Sequence, residues 1–248
     1  MTAPLLSVSR LVMNFGGHRA VDGVSLDIDS GKLVCILGPN GAGKTTLFNL
    51  LTKDLRPTSG SIRFDGSDVT ALPPHAVARL GIGRSYQITS IFPAWSVEDN
   101  VWIAAYRHAH GGRLVFGRRA AFYRAVAPRI AGLLDLVGLT KLRGVSAGAL
   151  SYGDQRLLEI AITLATGPRL ILLDEPTSGL SQEETGRVGG LIRTLAASTT
   201  VVMIEHKMDV VMEISDRLVV MDRGRVIADG SPAAVAADAA VKAAYFGT

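Results

Sequence analysis

The chain has 248 residues, 48% of them apolar, enough for a substantial core in one large domain or two small ones. Its net charge of +4 is mildly basic; it permits contact with nucleic acid or an anionic membrane but argues for neither. The single cysteine, Cys35, excludes an internal disulfide and fits a reducing compartment.

No uncharged apolar run approaches the roughly 18–20 residues needed to span a bilayer. The longest, Leu157 to Leu173, is broken by Glu159, Gly167-Pro168 and Arg169. Met1-Thr2-Ala3-Pro4 has no charged n-region leading into a long apolar stretch, so no signal peptide is expected. The expectation is a soluble chain whose membrane contact is peripheral.

The first 37 residues carry strand patterning in Leu5–Val8, Leu11–Phe15 and Val24–Ile28, with turns at Gly16-Gly17 and Asp29-Ser30-Gly31. Leu33-Val34-Cys35-Ile36-Leu37 is short, apolar and β-leaning, and so a buried strand. Directly after it comes Gly38-Pro39-Asn40-Gly41-Ala42-Gly43-Lys44-Thr45, which fits the pattern G-x-x-x-x-G-K-S/T at every fixed position. Thr46 to Leu51 then suits a helix. Strand, glycine loop and helix make the phosphate cradle of a P-loop NTPase. Glycines let backbone N–H groups curl around a phosphate, and the helix start adds unpaired donors. Lys44 offers a point charge to the β/γ-phosphates, and Thr45 a hydroxyl to Mg²⁺.

Beyond the loop, Ser61–Gly66 is expected as a strand and Pro73-Pro74 as the start of a short helix. From about Ser96 to Leu164 the pattern becomes mostly helical. Ser96 is a plausible N-cap, and a helix over Ala120–Leu136 is expected to kink or split at Pro128. Arg107 to Arg113, continuing to Arg118-Arg119, is basic and glycine-rich: a solvated loop, or a contact surface for a partner or acidic lipid. Strand and helix signals then alternate: strands at Leu170–Leu173, Thr200–Ile204 and Arg217–Met221, and helices at Glu183–Ala196 and Asp209–Ser215. Arg225–Ala228 pairs back across Asp222-Arg223-Gly224, and one alanine-rich helix runs from Pro232 to about Tyr245. The fold class is therefore α/β: a P-loop NTPase core with a mostly parallel sheet, an antiparallel β subdomain and an inserted α-helical subdomain.

The strand at Leu170–Leu173 delivers Asp174 and Glu175 at its C-terminal end, where open α/β sheets bind ligands. Asp174 can hold Mg²⁺ and Glu175 can polarise an attacking water as general base. With these residues the chain resembles the ATP-binding cassette family, and further motifs follow in that family's order. Leu150-Ser151-Tyr152-Gly153-Asp154-Gln155 stands where its L-S-G-G-Q signature belongs. Ser151 and Gly153 match it; Tyr152 and Asp154 depart. Gln87 matches the glutamine loop, His206 the switch histidine, and Phe15 the aromatic that stacks on adenine, although an aromatic at a strand end also packs simply into a core. Ser181 stands where the family's D-loop has aspartate.

The resemblance implies one nucleotide-binding domain over residues 5–247, with a helical subdomain at about 90–165. It implies nucleotide contacts from Phe15, from Gly38, Pro39, Asn40, Gly41, Ala42, Gly43, Lys44, Thr45 and Thr46, and from Ser151 and Gly153 of an opposing subunit. Mg²⁺ would be held by Thr45, Gln87 and Asp174, and catalysis would fall to Glu175, His206 and Gln87. Asp154 is expected to turn its carboxylate away from the phosphate. The signature variant, Asn14–Gly17, Ile214–Arg217 and Ala244–Gly247 look like the ATPase subunits of branched-chain amino-acid importers; importers of urea or short amides share much of this layout. The implied partners are a second, non-identical ATPase, two permease subunits and an external binding protein at the cytoplasmic face of the cell membrane. A soluble cassette acting on nucleic acid or ribosomes is the competing class, but it would carry two cassettes or a long coiled coil, and this chain has one cassette and no sustained heptads.

Overall fold

The computed structural model describes residues 3–85, 91–109 and 119–246. Gln87 and Arg113 lie outside them, as does most of the basic stretch.

Two sheets form the body. The strands β1 (Leu6–Phe15), β2 (His18–Ile28), β4 (Ser59–Phe64) and β5 (Ser67–Asp68) make an antiparallel sheet in the order β2-β1-β4-β5. The two runs expected at Leu5–Val8 and Leu11–Phe15 are one strand. Arg10, at φ 45°, makes the irregularity between them, where the pairing with β2 shifts register between Val8 and Leu11.

The second sheet has six strands: β3 (Leu33–Leu37), β6 (Ile82–Ser85), β7 (Leu170–Asp174), β8 (Thr200–Ile204), β9 (Arg217–Asp222) and β10 (Arg225–Gly230). Their order is β10-β9-β3-β8-β7-β6, parallel throughout except for the β9/β10 hairpin. Alternating residues of its strands enter two cores. Leu33, Cys35, Leu37, Ile171, Leu173, Val201 and Met203 join one; Val34, Ile36, Leu170, Leu172, Val202 and Ile204 join the other. Both faces are thus covered, which is why these strands read as unbroken apolar runs.

The helices are α1 (Lys44–Leu51), α2 (Pro74–Leu80), α3 (Val97–Ala109), α4 (Arg119–Leu136), α5 (Tyr152–Ala165), α6 (Gln182–Ala196), α7 (Met208–Ile214), α8 (Pro232–Ala237) and α9 (Ala239–Phe246). α1 packs between the two sheets through Leu47, Phe48, Leu50 and Leu51. α3, α4 and α5 contact one another, and α5 also meets β6 and α6. Ser96 caps α3 by accepting the Asp99 N–H at 3.0 Å. Of the expected kink or split at Pro128, the split does not occur: α4 runs through it, since proline's fixed φ suits a helix and one hydrogen bond is forgone. The expected single C-terminal helix is two, because Asp238 is extended (ψ 129°) and its carboxylate accepts the Ala240 and Val241 N–H groups, capping a new start.

Candidate functional site

Four neighbouring parallel strands, β3, β8, β7 and β6, end on the same side of the sheet. The C-terminal exits of β3, β8 and β7 lead in turn to the glycine loop, His206 and Asp174-Glu175, so the topology gathers motifs far apart in sequence, from Gly38 to His206, along one sheet edge.

The glycines of the loop are demanded by contact as well as by turn geometry. A Cβ on Gly38 would run into the Met221 carbonyl of β9, and one on Gly43 into the Ala20 carbonyl of β2. Gly41 and Gly43 both have positive φ, 82° and 96°. Gly43 is also the N-cap of α1 and offers no side chain, which leaves the first-turn N–H groups of Lys44, Thr45 and Thr46 without an intrahelical partner.

Lys44 is buried, and its Nζ donates to the Gly38 and Pro39 carbonyls at 2.6 and 2.9 Å. Burial lowers its pKa from 10.5; the charges of Glu175 and Asp174 act in the opposite sense. The ammonium therefore sits in the field of both carboxylates. Thr45 is exposed on the first turn of α1.

Asp174 is only 2% exposed. Its Oδ2 accepts from Arg84 Nη2 at 2.8 Å, and Arg84 Nη1 also donates to Asn49 Oδ1 (2.6 Å) and Asp54 Oδ2 (3.3 Å). A buried carboxylate is thus neutralised by a buried guanidinium on the adjacent strand, three residues before Gln87. Glu175 follows in the left-handed region at φ 49°, its N–H donating to the Ile204 carbonyl at 2.9 Å. Its Oε1 lies 2.6 Å from His206 Nε2, so the residues expected as base and switch share a hydrogen bond.

The signature segment is built on α5. Ser151 is its N-cap, Oγ accepting from the Asp154 N–H at 3.1 Å. Gly153 N–H donates to Glu184 Oε1 at 3.3 Å, and Asp154 Oδ1 accepts from Arg187 Nη2 at 3.1 Å. Asp154 therefore points to α6. Tyr152 is 43% exposed; its hydroxyl accepts from Arg156 at 2.8 Å and its ring lies against Gly179. Ser181, in the place of the D-loop aspartate, caps α6 in a reciprocal capping box with Glu184. The sequence departures thus form one brace between α5 and α6.

Phe15 is 47% exposed at the end of β1, beside the Gly16-Gly17 turn, and is not a core residue. The structure brings together Lys44, Asp174, Glu175 and His206. Among the described residues, the hydrogen bonds of Ser151 and Gly153 run to α5 and α6, and none reaches those four. Gln87 lies outside the described residues. Sequence reasoning missed Arg84. A charged residue three places before Gln87, in a run interrupted by Gly83, gave no strand signal.

Comparison with known proteins bears on the same elements. The family model described as ABC transporter matches residues 21–178. The chain belongs to the ABC transporter family. A second model, described as branched-chain amino acid ATP-binding cassette transporter, matches residues 225–248 of this cassette. The cassette is 42% identical over 253 residues to the high-affinity branched-chain amino acid transport ATP-binding protein BraF of Pseudomonas aeruginosa, covering 100% of this chain and 99% of the relative. It is 39% identical over 254 residues to LivG of Escherichia coli, with the same coverage. Among solved structures, it is similar to an ATP-binding cassette of an ABC transporter in its ADP conformation, with a TM-score of 0.87, 30% identity and all of both chains covered. A nucleotide-free cassette gives a TM-score of 0.85 at 28% identity, covering 99% of this chain and 100% of the other. The fold is that of a P-loop NTPase, and this cassette is a nucleotide-binding ATPase.

Proposed function

We propose that this chain is the ATP-hydrolysing subunit of an importer of branched-chain amino acids. The observation that carries the reading is full-length identity of 42% to BraF, joined by the match of residues 225–248 to the branched-chain transporter model. Among the described residues no helix is long and apolar enough to cross a membrane. In this reading the path for the amino acid belongs to partner permease subunits. We assign the chain to the cytoplasmic face of the membrane, with two permeases, a second ATPase and an external binding protein. Residues 5–247 form one nucleotide-binding domain in this reading, with about 90–165 as its helical part.

The geometry supports the following roles. The N–H groups at the start of α1 and the Lys44 ammonium hold the β/γ-phosphates. Phe15, exposed at the strand end, offers its ring to the adenine. Among the described residues no group of three or more His, Cys, Asp or Glu forms a metal cage. The Thr45 hydroxyl and the Asp174 carboxylate are hard oxygen donors, the set that suits Mg²⁺ shared with a nucleotide, and Gln87 joins them by resemblance. Mg²⁺ held there would supply positive charge to offset that of the phosphates. Glu175 takes a proton from the attacking water, and His206, bonded to it, orients it toward the γ-phosphate. Ser151, exposed at the start of α5, is the group offered to the nucleotide of an opposing ATPase.

The exposed Phe92 and Trp95 rings, stacked 4.7 Å apart beside the N-terminus of α3, are the surface we assign to the permease. They border the stretch leading from Gln87.

Affinity purification of the tagged chain from native membranes tests the reading. A copurifying permease, and uptake of leucine or isoleucine that is lost on deleting this chain, are expected. Salt-sensitive DNA binding with no permease copurifying would point instead to a nucleic-acid function.

A further inference from the structure

Glu205 has no part in the chemistry assigned above, yet it is buried to 2% exposure at the point where β8 ends. Its Oε1 accepts both from the Thr177 N–H at 2.9 Å and from the Thr177 hydroxyl at 2.6 Å. Its Oε2 accepts from the His206 N–H at 2.9 Å and, more weakly, from the Lys207 N–H at 3.4 Å. Thr177 is fully buried and lies two residues after Glu175. One buried carboxylate therefore ties the turn that carries Glu175 to the loop that carries His206.

That tie answers a need visible in the backbone. Glu175 sits at φ 49°, a region that non-glycine residues hold only when their surroundings over-determine it. The main-chain bond from Glu175 N–H to the Ile204 carbonyl fixes one side of the turn, and Glu205 fixes the other through Thr177. The loop after Glu205 is pinned at its far end too, since Lys207 Nζ donates to Thr185 Oγ1 of α6 at 2.8 Å and to the Leu180 carbonyl at 3.4 Å. Between those anchors His206 has little freedom, and its Nε2 meets Glu175 at 2.6 Å.

We propose that Glu205 is a positioning residue that sets the Glu175–His206 geometry for hydrolysis. This rests on the roles assigned above to Glu175 and His206.

The isosteric change Glu205→Gln separates positioning from bulk. Both carboxylate oxygens accept, and each faces two donors; an amide has one oxygen and one NH₂ group. With its oxygen kept on the two Thr177 donors, the amide turns its NH₂ against the His206 and Lys207 N–H groups. The substitution thus releases the histidine side while preserving volume and the threonine side.

The test uses the transporter purified from native membranes with its partners and measures single-turnover hydrolysis of labelled ATP, ATP affinity and Tm. Glu205→Gln is expected to lower the rate on the order of 10²-fold, the loss that comes with a small misplacement of a catalytic group, with ATP affinity unchanged. The discriminating readout is the same change in a His206→Ala background. There it should alter the rate by less than about 2-fold, because the group it positions is gone. An equal fold-loss in both backgrounds would mean a merely structural role and overturn the proposal, as would a wild-type rate in Glu205→Gln. Should Glu205→Gln not fold, Thr177→Val removes one donor to the same carboxylate and keeps its shape. It should slow hydrolysis by at least about 10-fold, the worth of one hydrogen bond to a charged group, without weakening ATP binding; a wild-type rate overturns the proposal. Wild-type rates in His206→Ala and in Glu175→Gln would instead refute the roles of those two residues, a separate result.

Discussion

Arg84→Met removes the guanidinium that neutralises Asp174 and keeps most of its volume. Arg84 and Asp174 have side chains exposed to only 6% and 2%, and their contact is 2.8 Å. The guanidinium is held against α1 by Asn49 and stands 5.8 Å over the Phe48 ring. Taking one partner from a buried pair leaves the other charge stranded, at about 3–5 kcal/mol. Lys44 remains in the field of Asp174, which favours the lower end, about 3 kcal/mol. For a chain of this size that is a fall in Tm of roughly 6–12 °C, read by calorimetry. Two further measurements identify the cause. Adding Mg²⁺ with a non-hydrolysable ATP analogue should raise the Tm of the variant more than that of the wild type, because a divalent cation beside Asp174 replaces the lost charge. Adding Asp174→Asn to Arg84→Met should recover most of the stability, since the amide strands no charge. A fall of less than about 2 °C, under about 1 kcal/mol, would refute the reasoning.

Other expectations rest on single features. Lys44→Ala should weaken ATP binding by at least about 30-fold, 2 kcal/mol or more, in titration calorimetry, since the ammonium is the cation proposed to hold the phosphates. Gly153→Ala places a methyl group against the Glu184 carboxylate and dislodges it from the α6 capping box, so stability should fall by the worth of a cap, about 1 kcal/mol, or roughly 2–4 °C in Tm. Hydrolysis should fall as well, with ATP binding to the glycine loop retained. Acid stability should follow Asp216. Burial alone would raise its pKa, but hydrogen bonds from Arg193 and the Leu33 N–H outweigh that and lower it below 3.8. A carboxylate with a depressed folded pKa contributes stability that is present above the unfolded value and lost as pH falls through the folded one. Asp216→Asn should therefore destabilise the protein at neutral pH and flatten the loss of Tm below about pH 4.

Much of the fold was legible because its core strands are buried on both faces. Leu33–Leu37, Leu170–Asp174 and Thr200–Ile204 are largely apolar runs that lead into the glycine loop, Glu175 and His206, and their composition places them without help from tertiary contacts. β6 was not legible. Ile82-Gly83-Arg84-Ser85 lacks an apolar pattern because it is an edge strand: Gly83 admits the close approach of Thr163 and Pro168, and Arg84 reaches across to Asp174. The break at Asp238 was hidden because alanine on both sides favours helix, and the capping carboxylate alone interrupts it. Within the site, the residues proposed to touch nucleotide were visible as motifs. Arg84 and Glu205 were not, since each acts on a partner far away in sequence: 90 residues for Arg84 and Asp174, 28 for Glu205 and Thr177. The meaning of Tyr152, Asp154 and Ser181 likewise needed the α5–α6 brace, which no local pattern encodes.

The central claim is that this chain hydrolyses ATP with Glu175 as the base, on a nucleotide held by the glycine loop. Glu175→Gln tests it most directly, with ATP binding and hydrolysis measured on the same preparation. The account expects unchanged ATP affinity and a hydrolysis rate lower by roughly 10²–10⁴-fold. Hydrolysis at the wild-type rate would contradict it.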